Sequence, residues 1–258
     1  MSVKFECVTS MNQSYYNKIG FKMIESFVQQ WPEDINLRIY HEDDLRVPES
    51  NRYQLFDLRD NEPELFEFIN RHKDREDQQN PLELHRGAIR FSYKVFSVLN
   101  AGNNSDADYM IWLDADTFTH SPVSHEFLNT LVDAKKHLTY IGRSNTYSEA
   151  GFVVYNLKHE IQKPFFETWR NLYRTDELFN LPQWHDCLAM DRIRQAYENE
   201  FNIENTNLTP WGKNYDHVFI NRVLGEYMDH MKGGRKQVGK SNKSDLFTER
   251  KAEYWRNI

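Results

Sequence analysis

The stretch Tyr109-Met-Ile-Trp-Leu-Asp-Ala-Asp-Thr-Phe-Thr119 constrains this chain more than any other. An apolar run that stops abruptly at charge reads as a buried strand reaching the edge of a sheet. Ligands of open α/β sheets collect beyond the carboxyl ends of the strands, so Asp114 and Asp116 are expected where a ligand sits. With one residue between them on a bending chain, the two carboxylates can converge on a single hard cation. Oxygen donors suit Mg²⁺ or Mn²⁺, ions that commonly also hold substrate phosphates. The competing reading is an Asp-rich turn that merely closes a strand, and the rest of the chain has to separate the two.

Before this stretch, residues 3–8 read as a first strand and residues 9–14 as a polar loop. Ile19, Met23, Ile24, Phe27 and Val28 then share one helical face, which Trp31-Pro32 ends. Residues 37–40 form a second strand, closed by an acidic turn over residues 41–44. Strand, helix and strand in this order favour a parallel sheet. Residues 61–79 read as a solvated surface helix. Over residues 83–100, Leu84, Ala88, Phe91, Val95 and Val98 make an apolar stripe, and Arg86, Arg90 and Lys94 a cationic one, since residues four apart on a helix are neighbours. This helix leads directly into the Asp-x-Asp strand, so its cationic face is a candidate wall of the same cleft, with a plain basic surface as the alternative.

After the aspartates the pattern predicts a helix over 124–136, strands over 138–141 and 152–155, and helices over 158–174, 186–198 and 216–228. Gly151 would allow a sharp turn or a close approach to a ligand. Asp186 opens its helix, and capping would explain it as well as function does; His185 reads as a satisfied loop histidine.

The 258 residues fit one large domain or two small ones. Hydrophobic residues at 39% exclude global disorder, and a net charge of −7 argues against a surface given over to nucleic acid. Two cysteines, Cys7 and Cys187, make no disulfide framework and suggest a reducing compartment. The N-terminal MSVKFECVTS has no apolar core of a secretion signal, and no apolar run is long enough to span a membrane.

Towards the C-terminus the composition changes. His230 is followed by Gly233, Gly234 and Gly239, and from Lys232 to Lys243 there are five basic residues and no acidic one. Glycines beside cations, with free backbone N–H groups, are what a polyphosphate needs. An ordinary basic tail would look similar. The functional reading rests on two half-sites that need each other: an anionic pair to hold a cation and a cationic loop to hold a diphosphate. Loose glycines and like charges also lead us to expect residues 230–240 to be mobile without a ligand and to close over one.

LDAD at a strand end, followed late in the chain by His230-Met-Lys-Gly233-Gly-Arg-Lys236, resembles the metal-dependent GT-A glycosyltransferases, and more particularly the glycogenin and lipopolysaccharide galactosyltransferase family. That family carries His-x-x-Gly-x-x-Lys-Pro-Trp; Gln237-Val238 stand here in place of Pro-Trp. Around RFSYKVFSVL, WLDAD, SEAGF and DHMKGGRK the chain also resembles small glycosyltransferases of phages and large DNA viruses. The resemblance implies a single α/β domain over 1–258 with a GT-A, Rossmann-like mixed sheet flanked by helices. Residues 1–116 would be the nucleotide-sugar-binding half, and residues 117–258 the acceptor half with a metal- and diphosphate-binding tail.

By this resemblance Asp114, Asp116 and His230 are the ligands of Mn²⁺ or Mg²⁺. Lys236 touches the diphosphate and Gly233 lets the backbone approach it. Thr9, Ser10, Asn12, Tyr15 and Tyr16 carry base and ribose, Arg90 or Lys94 faces the sugar phosphate, and Ala115 lies beside the donor. Asp186 and Glu149 are the carboxylates at the anomeric centre, with Lys236 on the leaving phosphate. Glu149 stands where the family has the Asn of Asn-x-Gly, and Trp184-His-Asp-Cys187 where it has Asp-Gln-Asp. The implied activity is sugar transfer from a nucleoside-diphosphate sugar, expected to be a UDP-sugar, with retention. The acceptor would be a glycan, a lipid-linked sugar or a modified nucleobase, in the cytoplasm of a bacterial or virus-infected cell.

Two other classes compete. A sugar-phosphate nucleotidyltransferase would carry a glycine-rich loop after its first strand, where this chain has TSMNQSYYN without glycine. A catalytically silent nucleotide-sugar-binding module is opposed by the intact Asp114, Asp116 and His230.

Overall fold

The computed structural model describes residues 3–75, 87–144, 146–209 and 217–256. Its strands are β1 (Phe5–Met11), β2 (Leu37–His41), β3 (Tyr53–Asp57), β4 (Tyr109–Leu113), β5 (Thr117–Thr119), β6 (Leu138–Ile141), β7 (Glu149–Asn156), β8 (Thr206–Asn207) and β9 (Met228–His230). Seven of them form one sheet in the order β3-β2-β1-β4-β7-β6-β8. The pairs β3–β2, β2–β1 and β1–β4 are parallel, and β7 runs antiparallel to both β4 and β6. The mixed α/β sheet of one domain is therefore present, and strands from both halves of the sequence build it.

All five residues of β4 are buried, which requires a covered sheet on both sides. Alternation along the strand divides them. Tyr109, Ile111 and Leu113 join the core beneath the Phe21–Gln30 helix with Met23, Ile24 and Phe27. Met110 and Trp112 join the core of the Ala88–Asn104 and Gln162–Arg174 helices with Val95, Leu99, Phe165 and Trp169. Burying a side chain of this size contributes about 1.5–3 kcal/mol, so the apolar run both builds the sheet's centre and fixes where the aspartates emerge.

Several elements differ from the expectations. The first strand runs on to Met11, because Val8, Thr9 and Met11 pair with β2 and are buried; Thr9 is thus strand interior rather than loop. Strand β3, with the mixed pattern YQLFD, was not anticipated. The 61–79 helix covers only Pro63–His72, with Pro63 in its first turn, and residues 76–79 lie outside the described residues. The 83–100 helix begins at Ala88 and runs to Asn104; Leu84 and Arg86 lie outside the described residues. The 124–136 helix shortens to His125–Thr130, capped by Ser124.

Residues 217–228 are not the expected helix, and residue 216 lies outside the described residues. Among the described residues the segment is a turn, a short 3-10 helix over Val223–Glu226, and the start of β9. Gly225 explains it: a Cβ there would lie 1.9 Å from the Ile220 carbonyl oxygen, so the chain folds back on itself instead of winding on. Strand β9 then pairs antiparallel with β5, Thr117 opposite His230. Among the described residues no helix is long and apolar enough to cross a membrane, and Cys7 and Cys187 are free thiols.

Candidate active site

A cavity of about 510 Å³ opens at the carboxyl ends of β1, β2 and β4. Asp114 and Ala115 follow β4 directly, and the backbone N–H of Asp114 donates to the Gly151 carbonyl on β7 at 2.9 Å. The β5–β9 register, with a bond from Met231 N–H to the Asp116 carbonyl at 2.8 Å, lays His230 beside the aspartates. His230 Nε2 lies 3.2 Å from Asp116 Oδ1 and 3.5 Å from Asp114 Oδ2. Gly151 makes room for the imidazole, since a Cβ there would come within 2.5 Å of the ring.

The charges around this cluster are balanced by named partners. Lys94 Nζ donates to Asp114 Oδ1 at 2.8 Å and to the Ala150 carbonyl at 2.7 Å, and lies 2.8 Å from Asp186 Oδ2. Lys236 Nζ lies 2.8 Å from Asp116 Oδ2. Glu149 pairs with Lys232, with Arg143 at 3.8 Å, and its Oε1 stands 3.6 Å from His230 Nδ1. Burial alone would raise the Asp114 carboxyl, but Lys94 and His230 override it and hold it well below the usual range. Burial is likewise outweighed at Asp116, where His230 and Lys236 lower the carboxyl to about 2, and at Glu149, where Lys232, His230 and Arg143 lower it to about 2. Burial disfavours a charged His230, yet Asp116, Asp114 and Glu149 raise it to about 10.

Asp114, Asp116 and His230 offer ligand atoms that all lie within 4.8 Å of one another. Adjacent ligands about 2.1 Å from an octahedral ion lie about 3.0 Å apart. The 3.2 and 3.5 Å separations, two carboxylates and one imidazole therefore fit a Mg²⁺ or Mn²⁺ ion. Nδ1 of His230, buried and without a hydrogen-bond partner among the described residues, faces the Glu149 carboxylate, the arrangement in which an outer carboxylate orients a metal-binding histidine. A second cluster, His185, Asp186 and Cys187, does not fit an ion. His185 Nδ1 accepts from Leu188 N–H at 3.2 Å, and Nε2 is 2.8 Å from Gln183 Oε1, so both ring nitrogens are spent.

His185 is thus the helix cap, and Asp186, which capping could have explained, turns inward to Lys94. Of the other residues singled out in the sequence, Ser10, Asn12, Tyr15, Arg90, Lys94 and Lys236 line the cavity. Lys236 Nζ sits 5.3 Å from the Tyr15 ring centroid, and burial together with Asp116 holds the Tyr15 phenol far above its usual range. Thr9 and Tyr16 are not among the lining residues: Thr9 is fully buried in β1, and Tyr16 begins a π-turn packed on the core. Gly233 has a positive φ of 63°, which the turn after β9 uses, and the space where its Cβ would stand is open.

Two charged lining residues, Glu42 in the acidic turn and Lys232 in the basic segment, were not individually assigned to the site from the sequence. Glu42 follows β2 as Asp114 follows β4, so the strand-end rule would have found it. Lys232 lies two residues beyond His230, where the chain turns and the Lys232 N–H donates to the His230 carbonyl at 2.9 Å.

No family model and no curated protein matches the sequence. Solved structures do. Mouse xyloside xylosyltransferase 1 superposes with a TM-score of 0.51 over 81% of this chain and 87% of that one, at 11% identity. GlyE of Streptococcus pneumoniae TIGR4, a glycosyltransferase, gives 0.47 at 12% identity over 80% of this chain, which spans only 45% of GlyE. The galactosyltransferase LgtC, solved with donor and acceptor sugar analogs, gives 0.43 at 16% identity over 72% of this chain and 69% of its own. The match to the xylosyltransferase extends over most of both chains, and with it the chain has the fold of the GT-A glycosyltransferases.

Proposed function

We propose that the chain is a metal-dependent glycosyltransferase that moves a sugar from a nucleoside-diphosphate donor to an acceptor hydroxyl. The observation that carries this is the meeting of Asp114, Asp116 and His230 with Lys94 and Lys236 in one cavity at the strand ends. The Mn²⁺ or Mg²⁺ ion, when bound, supplies positive charge to the leaving diphosphate. The chain's own residues do the rest. Cleaving the bond between the anomeric carbon and the diphosphate leaves positive character on the sugar and negative charge on the phosphate. Lys236, paired with Asp116 in the absence of a donor, is the donor group for a phosphate oxygen, and a fixed cation there acts most strongly as that charge develops. Asp186 and Glu149, both buried on the cavity wall, present carboxylates to the sugar, and Lys94 fixes Asp186 and Asp114 relative to each other. A UDP-sugar donor, transfer with retention, and a glycan, lipid-linked or modified-nucleobase acceptor complete the reading.

A panel of nucleoside-diphosphate sugars, assayed for release of nucleoside diphosphate with Mn²⁺ and with excess chelator, tests it. Release from one donor is expected, lost in chelator and in Asp116→Asn. Undiminished release in chelator would refute the metal, and no release from any donor with any offered acceptor would refute the transferase.

A further inference from the structure

The end of the cavity remote from His230 carries a carboxylate that no step above uses. Glu42 follows β2, Asn12 follows β1 and Asp114 follows β4. These strands are parallel neighbours in that order, so the three side chains leave the sheet at one edge, and all three line the cavity. Neighbouring strands are about 4.8 Å apart, which puts Glu42 about 10 Å from Asp114 along that edge. A diphosphate held over β4 would therefore extend its nucleoside across β1 towards β2.

Glu42 is half-buried, and its Oε2 accepts from Asn12 Nδ2 at 3.1 Å. Asn12 Oδ1 accepts from Tyr15 N–H at 2.8 Å, which orients the side-chain amide with its nitrogen towards Glu42. Among the described residues, the other oxygen of Glu42 accepts no hydrogen bond. The loop that presents it is pinned: Asp43 Oδ1 accepts from Gln13 N–H at 2.8 Å, and Arg46 N–H donates to Gln13 Oε1 at 2.6 Å. Burial pushes the Glu42 carboxyl up to about 7, against the pull of Asn12 and Arg90, as expected of an acceptor short of donors.

We propose that Glu42 reads the nucleoside of the donor: its carboxyl group accepts a hydrogen bond from the N–H edge of the base or from a ribose hydroxyl, and so sets which nucleoside the cavity takes. This rests on the reading of the cavity as a nucleoside-diphosphate sugar site. Calorimetric titration of the whole protein in Mn²⁺ with UDP, GDP, CDP and ADP, and separately with inorganic pyrophosphate, separates the two claims. The nucleotide preferred by the wild type should bind Glu42→Ala at least about tenfold more weakly. Pyrophosphate should bind both proteins equally, which also shows the variant to be folded. Glu42→Gln, which keeps the shape and one acceptor, should lose less. If the 2′- or 3′-deoxy form of the preferred nucleotide binds the wild type as weakly as the parent binds Glu42→Ala, the bond is to ribose; if both bind normally, it is to the base. Equal nucleotide affinity in wild type and Glu42→Ala overturns the proposal, as does an equal loss for nucleotide and pyrophosphate. A wild type that binds neither probe overturns the donor reading and this proposal with it.

Discussion

Replacing Lys94 by Met tests whether the network around the aspartates is a set of obligatory charge pairs. Methionine keeps an unbranched stem beside Trp112, over whose ring Lys94 Nζ lies at 5.0 Å, but it removes the cation from two carboxylates. Asp114 retains Trp112 Nε1, which donates at 2.7 Å, and the nearby His230. Asp186, 3% exposed, is left with the Cys187 thiol at 3.7 Å from Oδ1. Breaking a buried pair from one side costs about 3–5 kcal/mol. A stranded carboxylate can instead take up a proton, which from the ordinary aspartate value costs about 4 kcal/mol at pH 7 and about 1.5 kcal/mol at pH 5. The loss in Lys94→Met should therefore be about 3–4 kcal/mol at pH 7 and shrink to about 1.5 kcal/mol at pH 5. Lys94→Met/Asp186→Asn should recover most of it, because the stranded charge is gone. Urea unfolding followed by tryptophan fluorescence, in chelator, reads all four values. A loss below about 1 kcal/mol at pH 7, or one that does not change with pH, would refute the reasoning.

Gly151→Ala drives a methyl group to within 2.5 Å of the His230 ring; Mn²⁺ affinity by calorimetry should fall about 10–100-fold, and unchanged affinity would mean that the imidazole is not held by this contact. Lys236→Ala frees Asp116 Oδ2 from its ion pair, so Mn²⁺ binding without nucleotide should hold or strengthen while kcat falls about 100-fold or more; an unchanged kcat would remove Lys236 from the reaction. Burial pushes His120 and His137 down to about 4. The unfolded chain therefore binds protons first, and stability present above pH 6.5 is lost as pH falls from 6.5 towards 4, by up to about 1.4 kcal/mol per unit for each histidine. A flat unfolding midpoint over that interval would contradict it.

The sequence was most legible where burial and chemistry coincide. A run such as YMIWL has no alternative to a covered strand, so the position of Asp114 and Asp116 at its end could be read without a partner in view. His230 and Lys236 were legible as types, but their arrival at Asp116 depends on the β5–β9 pairing over three residues on each strand, too short to leave a periodic signal. The same shortness made residues 216–228 read as a helix. Glu42 was passed over because an acidic turn after a strand is ordinary chemistry, and only the parallel order β2-β1-β4 turns it into a cavity wall. Asp186 could not be assigned between cap and site, since the neighbouring His185 cap is visible only in coordinates.

The departures from the resembling family's pattern become coherent when the charges are considered together. An asparagine at position 149 would place a neutral amide behind His230. Glutamate places a full negative charge there, 7% exposed, which cannot persist without cations. Lys232, from the turn after β9, and Arg143, beyond β6, supply them. Lys232 stands at a variable position of the His-x-x-Gly-x-x-Lys motif, and Arg143 lies outside it. Glu149 adds one carboxylate and draws the cations that neutralise it, while Lys94 stays on Asp114, Lys236 on Asp116 and His230 beside both aspartates. On this argument the cluster of Asp114, Asp116 and His230 is held by its own pairs with Lys94 and Lys236, and Glu149 stands behind the imidazole as a carboxylate that Lys232 and Arg143 neutralise.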